Sequence, residues 1–144
     1  MKKLLAVLIF AIAGNAYATG ETFALTIISG TEYCPGLRPL KLNRSNSRKF
    51  FIRFDTESSA SVFFDAVKAT PDFVADLKVS FIGLNQLSFD AFFYADNNNH
   101  AEMIGTINLD KYGYAKTLAG TYLSAGLGNN QCYDVGKMIG KRIS

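Results

Sequence analysis

Hydrophobic and polar positions alternate along the middle of this chain. Leu87, Phe89, Ala91, Phe93 and Ala95 share one face of an extended segment. Ala101, Met103, Gly105, Ile107 and Leu109 repeat the pattern after Asp96-Asn97-Asn98-Asn99. Two period-two runs around a polar tetrapeptide predict a β-hairpin over 86–109. Asn and Asp suit its tip, because they accept turn conformations that branched residues resist.

The same reading extends outward. Phe23, Leu25 and Ile27 alternate with Ala24, Thr26 and Ile28, predicting a first strand over 22–32. Cys34-Pro35-Gly36 marks a turn. The 37–42 segment is a short edge strand, since Pro39 removes a ladder donor. A polar turn over 43–47 leads to a strand over 49–54, with Phe50, Ile52 and Phe54 on one face. The 60–70 segment fits helix and strand equally: Val62, Phe63, Ala66 and Val67 have helical spacing, while Val62, Phe64 and Ala66 alternate. Thr70-Pro71-Asp72 has the composition of a helix start and predicts a short helix over 71–76. Leu77, Val79 and Phe81 begin another strand, and Gly83-Leu84-Asn85 turns the chain into the hairpin. Lys111-Tyr112-Gly113 is a further turn. The strand over 114–123 contains Gly120, which signals a bulge or a close backbone approach. Tyr133, Val135, Ile139 and Ile143 share one face of the last strand, with Cys132 and Met138 on the other.

The predicted fold is therefore mainly β. It is an antiparallel meander of about eight strands, closing as a barrel or a two-sheet sandwich. Phe92 and Tyr94 face away from Phe89 and Phe93, so these outer aromatics call for a cover.

The first residues set the compartment. Met1-Lys2-Lys3 is basic, 4–13 is unbroken apolar sequence, and Ala16-Tyr17-Ala18 places small residues at a cleavage site. This is the layout of a bacterial signal peptide over 1–18, leaving 19–144 as one β-rich domain exported to the periplasm or beyond. Lys2 and Lys3 are two of the 15 basic residues, so the remaining 13 exceed the 12 acidic ones by about one charge. That balance gives no reason to expect a nucleic-acid partner.

Cys34 and Cys132 are the chain's two cysteines. In an exported protein an isolated pair predicts a disulfide, here tying the first strand to the last.

Candidate chemistry is sparse. The single histidine, His100, has no nucleophile pattern beside it, and no catalytic residue, cofactor or metal site is expected. Asp96-Asn97-Asn98-Asn99 is rich in oxygens, but a Ca²⁺ loop needs more carboxylates than Asp96 supplies. Asp55 with Glu57, or Asp90 with Glu102, form the carboxylate pairs a secreted hydrolase would need. Arg38, Lys41, Arg44, Arg48, Lys49 and Arg53 occur with no acid among them, and Lys137, Lys141 and Arg142 follow Cys132. A Cys34–Cys132 bond would start both groups from one point. The resulting basic patch would suit an anionic envelope polymer, a lipid or an acidic protein; the same cations would also guard a sheet edge. The expected function is a binding or interaction protein, taking an apolar ligand, an anionic envelope component or a partner protein. The alternatives are a carboxylate-dependent hydrolase and a small outer-membrane β-barrel, although Lys78, Lys116 and Lys137 sit awkwardly for lipid-facing strands.

Overall fold

The computed structural model describes residues 20–47, 49–95, 99–125 and 131–144, without the side chains of 94, 95 and 99. The predicted signal peptide lies outside these residues. The strands are β1 (Thr22–Tyr33), β2 (Leu40–Asn43), β3 (Phe50–Phe54), β4 (Ser59–Phe64), β5 (Phe73–Gly83), β6 (Gln86–Ala95), β7 (Asn99–Leu109), β8 (Ala115–Ala125) and β9 (Tyr133–Arg142).

Each of these strands pairs antiparallel with its neighbours in one sheet. β9 returns to β1 and pairs along it from Phe23↔Arg142 to Tyr33↔Tyr133. The sheet therefore closes as a barrel, not a sandwich. β2 and β3 share one edge of β1: β2 lies beside Ser29–Glu32 and β3 beside Thr22–Leu25. They run end to end, so β1 and β3–β9 form the eight-stranded barrel and β2 is an additional piece at one rim.

The predicted hairpin is β6–β7, in register from Gln86↔Asn108 to Ala95↔Asn99. The tip residues 96–98 lie outside the described residues. The ambiguous 60–70 segment resolves into strand β4 and a loop. The helix predicted over 71–76 is not formed: β5 already begins at Phe73. Asp72, read from sequence as an acid at a helix N-terminus, has another use. Its carboxylate accepts the Phe64 N–H at 2.8 Å and pairs with Lys68 at 2.7 Å, while its own N–H donates to the Val62 carbonyl. These bonds fold the loop back onto β4 and deliver Phe73 directly into the sheet. Tertiary pairing outweighs a local helix signal only a few residues long.

Alternation sorts the wall into two faces. Leu87, Phe89, Ala91 and Phe93 of β6 point inward and are buried, as are Ala101, Met103 and Ile107 of β7. One end of the barrel, carrying the 55–58, 84–85 and 110–114 turns, is filled by Phe23, Phe54, Phe89, Leu87, Ile107 and Leu118. The Phe54 ring meets those of Phe23 and Phe89 edge-on, with centroids 5.7 and 5.9 Å apart. Full burial of such side chains stabilises by about 1.5–3 kcal/mol each. Gly120 marks a close approach within regular pairing: it faces Gly105, and a Cβ on it would strike the Ile104 carbonyl.

Of the two outer aromatics, the Tyr94 side chain lies outside the described residues. Phe92 is half-buried, with the His100 ring 6.1 Å from its own across β6–β7.

The opposite end is the rim. There Cys34 follows β1 and Cys132 precedes β9, with their sulfurs 2.06 Å apart and bonded as expected. The adjacent Tyr33 and Tyr133 rings stack at 4.8 Å.

Candidate ligand site

The filled end leaves the rim half of the barrel open inside. A cavity of about 700 Å³ occupies it. Its apolar lining comes from inward positions on most of the wall: Ile27, Leu42, Phe50, Val62, Phe73, Phe93 and Met103. Eight-stranded barrels enclose an interior of the size that holds one small ligand, and the volume falls in the usual range for ligand pockets.

One wall is polar. Continuing inward from Met138, the alternation of β9 passes Gly136 and reaches Asp134. Asp134 pairs with Glu32 of β1 on one side and Ser124 of β8 on the other. Residues directly opposite one another across a sheet point to the same face, so these three side chains converge inside the rim. All three line the cavity.

Tyr122 belongs to the next row, opposite Gly136, which itself faces Gly30. The two glycines make room for its ring. A Cβ on Gly30 would stand 2.8 Å from the Val135 carbonyl and 3.1 Å from the Tyr122 hydroxyl. Tyr122 is only 7% exposed, and its hydroxyl is buried without a hydrogen-bond partner. Asp134 Oδ1 is likewise buried and unpartnered.

Burial raises the Asp134 carboxyl above the usual carboxylate range, and the charge of neighbouring Glu32 adds to the effect. The nearby Ser124 hydroxyl works in the opposite direction. Burial, then the negative charges of Asp134 and Glu32, push the Tyr122 phenol up as well. The site thus favours the uncharged forms of the Asp134 carboxyl and the Tyr122 phenol. No described cation forms an ion pair with Glu32 or Asp134. Asp72, at the mouth, is held below the usual range by its hydrogen bond to Lys68.

Among the described residues, the basic residues singled out in the sequence do not line this cavity. Lys41 donates to the Thr31 hydroxyl at 3.3 Å. Lys137 and Lys141 are exposed on β9, and Arg38, Arg44 and Lys49 are exposed on the loops flanking β2. Arg48 lies outside the described residues. Arg53 pairs with Asp55 at 2.6 Å and lies over the Phe63 ring, 5.1 Å from its centroid. Arg142 pairs with Glu21 at 3.1 Å. Those last two ion pairs sit at the filled end, away from the disulfide that was expected to gather the basic groups.

The carboxylate pairs named from sequence are also apart from the cavity. Asp55 is engaged by Arg53 and by the Ser61 hydroxyl, and Glu57 is exposed in the turn. Asp90 and Glu102 lie on the outer wall near Asp76, Lys78 and Phe92. Among the described residues, no group of three or more His, Cys, Asp or Glu side chains could hold a metal ion.

The sequence reading missed Glu32, Asp134, Ser124 and Tyr122. The signal was present in part: the last strand was divided into two faces, and stepping from Met138 by twos leads to Asp134. What alternation alone could not supply was the β1–β9 register that sets Asp134 opposite Glu32. Compared with protein-family models, curated proteins and solved structures, the chain matches none.

Proposed function

We propose that this protein is an exported binding protein that takes a small, largely apolar ligand into the rim half of its barrel. The observation that carries this reading is the cavity of about 700 Å³, apolar on most sides and closed below by the Phe23–Phe54–Phe89 layer. A core formed only for stability would fill that space, because protein interiors are packed to crystal density. The Cys34–Cys132 bond at the rim supports an oxidising compartment, in keeping with a signal peptide over 1–18.

The other readings find less support. Asp76, Lys78, Asp90, Glu102, Lys137 and Lys141 occupy the outer wall, where a bilayer-spanning barrel needs an apolar band. Glu32 and Asp134 are direct cross-strand partners, side by side on one wall, whereas glycoside hydrolysis needs two carboxylates flanking the scissile bond. The basic residues serve as solvated edge and turn positions, with two of them already neutralised.

The test is a titration of the oxidised 19–144 chain with N-phenyl-1-naphthylamine, a neutral apolar fluorophore. Saturable enhancement at one site per chain is expected. Ala101→Phe, which fills the cavity from β7, abolishes it while the far-UV circular dichroism stays that of a β-barrel. Undiminished binding by this folded variant, or none by the parent, refutes the reading.

A further inference from the structure

We propose that the cavity selects amphipathic amines, seating a protonated amino head between Glu32 and Asp134 under the Tyr122 hydroxyl. This rests on the cavity being a ligand site and adds the chemistry of the ligand's head.

Three observations converge on it. First, Glu32 and Asp134 are cross-strand partners on the inner wall, and no described cation pairs with either. A positive charge beside two neighbouring carboxyls offsets their mutual repulsion. Second, the Tyr122 hydroxyl and Asp134 Oδ1 are buried without partners, which is costly in the empty protein. The Gly30–Gly136 pair, whose missing side chains leave room for the ring, places the hydroxyl over Gly30, one inward row from Glu32 and Asp134. Third, Glu32, Tyr122, Ser124 and Asp134 share one wall, and apart from Asn46, Ser47 and Asp72 on the loops the rest of the lining is apolar, so a ligand with one head and one tail fits the distribution.

An ammonium head matches this donor–acceptor inventory. It supplies three donors and one positive charge. Glu32 and Asp134 each accept one donor, and the Tyr122 oxygen accepts the third. Any proton on Asp134 leaves for solvent as the cation arrives, so charge balances. A carboxylate head would add a third negative charge. An alcohol head could satisfy one acceptor and leave the rest unpaired. The titratable groups bordering the site are Glu32 on β1, Asp134 on β9, Tyr122 on β8, and Asp72 on the loop before β5, the last already paired with Lys68.

The experiment is competition against bound N-phenyl-1-naphthylamine at pH 7 by decylamine, 1-decanol and decanoate, all below their aggregation limits. Decylamine is expected to bind about tenfold or more tighter than decanol, the scale of one charge-assisted hydrogen-bond set. Decanoate should be the weakest. In Glu32→Gln/Asp134→Asn the amine-to-alcohol ratio falls towards one, and Tyr122→Phe lowers it part of the way. Equal affinity for amine and alcohol in the parent overturns the head-group assignment while leaving the cavity reading intact. Failure of the fluorophore itself to bind overturns the cavity reading instead. Should Ca²⁺ alone raise the melting temperature at submillimolar concentration, and lose that effect in the double variant, the site is a metal site and the amine assignment is wrong.

Discussion

Replacing Tyr122 by Phe is expected to stabilise the empty protein while weakening what it binds. The change removes one oxygen and keeps the ring that lies over Gly30 and Gly136. No hydrogen bond is lost, because the hydroxyl has no partner. In protein mutational series, burying an unpaired hydroxyl costs about 1–3 kcal/mol. The variant should recover that amount, which for a domain of this size is a rise of about 3–5 °C in melting temperature per kcal/mol. Urea unfolding of the oxidised protein reads it directly: the midpoint moves up and the slope m is unchanged. A loss of about 1 kcal/mol or more would mean that the hydroxyl makes a bond in the folded protein. The argument that this oxygen is held ready for a ligand would then fail.

Other outcomes follow from the same geometry. Asp134→Asn tests the raised Asp134 carboxyl. A carboxyl titrating higher in the folded state than in the unfolded chain costs stability once ionised. That cost is absent below the unfolded value of about 3.9 and grows as pH rises through the folded one. Asp134→Asn should therefore exceed the parent in melting temperature at pH 7 by more than at pH 3, and an equal margin at both would contradict the shift. Cys34→Ser/Cys132→Ser opens a loop of sequence separation 98 and should lower unfolding free energy by up to about 4–5 kcal/mol; urea midpoints no different from the parent would show that the bond does not form in solution. Phe89→Ala removes a fully buried ring between the β5 and β7 walls and should cost about 3–5 kcal/mol by the same assay.

The strands were legible where alternation was clean. In β6 and β7 the inward set Leu87, Phe89, Ala91, Phe93, Ala101, Met103 and Ile107 can be read off the residues alone, because a half-buried strand has period two. The 71–76 segment was misread because Thr70-Pro71-Asp72 is good helix-start chemistry. Only the structure reveals that the Asp72 carboxylate serves Phe64 across the loop. The disulfide was legible from two cysteines behind a signal-peptide-like start. Barrel closure was not, since it depends on β9 finding β1 across almost the whole sequence. The polar wall followed the same limit. Glu32 and Asp134 are unremarkable acids in the sequence, and become a pair only through the closing register. Gly30 and Gly136 had no reason to be linked to Tyr122 until β1, β9 and β8 were laid side by side.

The most direct test of the ligand site is a methyl NMR titration of the oxidised protein with decylamine. Its reporters are Ile27, Leu42, Val62 and Met103 in the rim half, against Leu87, Ile107 and Leu118 in the filled end. The expected result is saturable shifts confined to the first set, together with intermolecular NOEs from the ligand chain. Shifts confined to the outward-facing Val74, Ile104 and Val135, or no shifts at all, would contradict a cavity that holds a ligand.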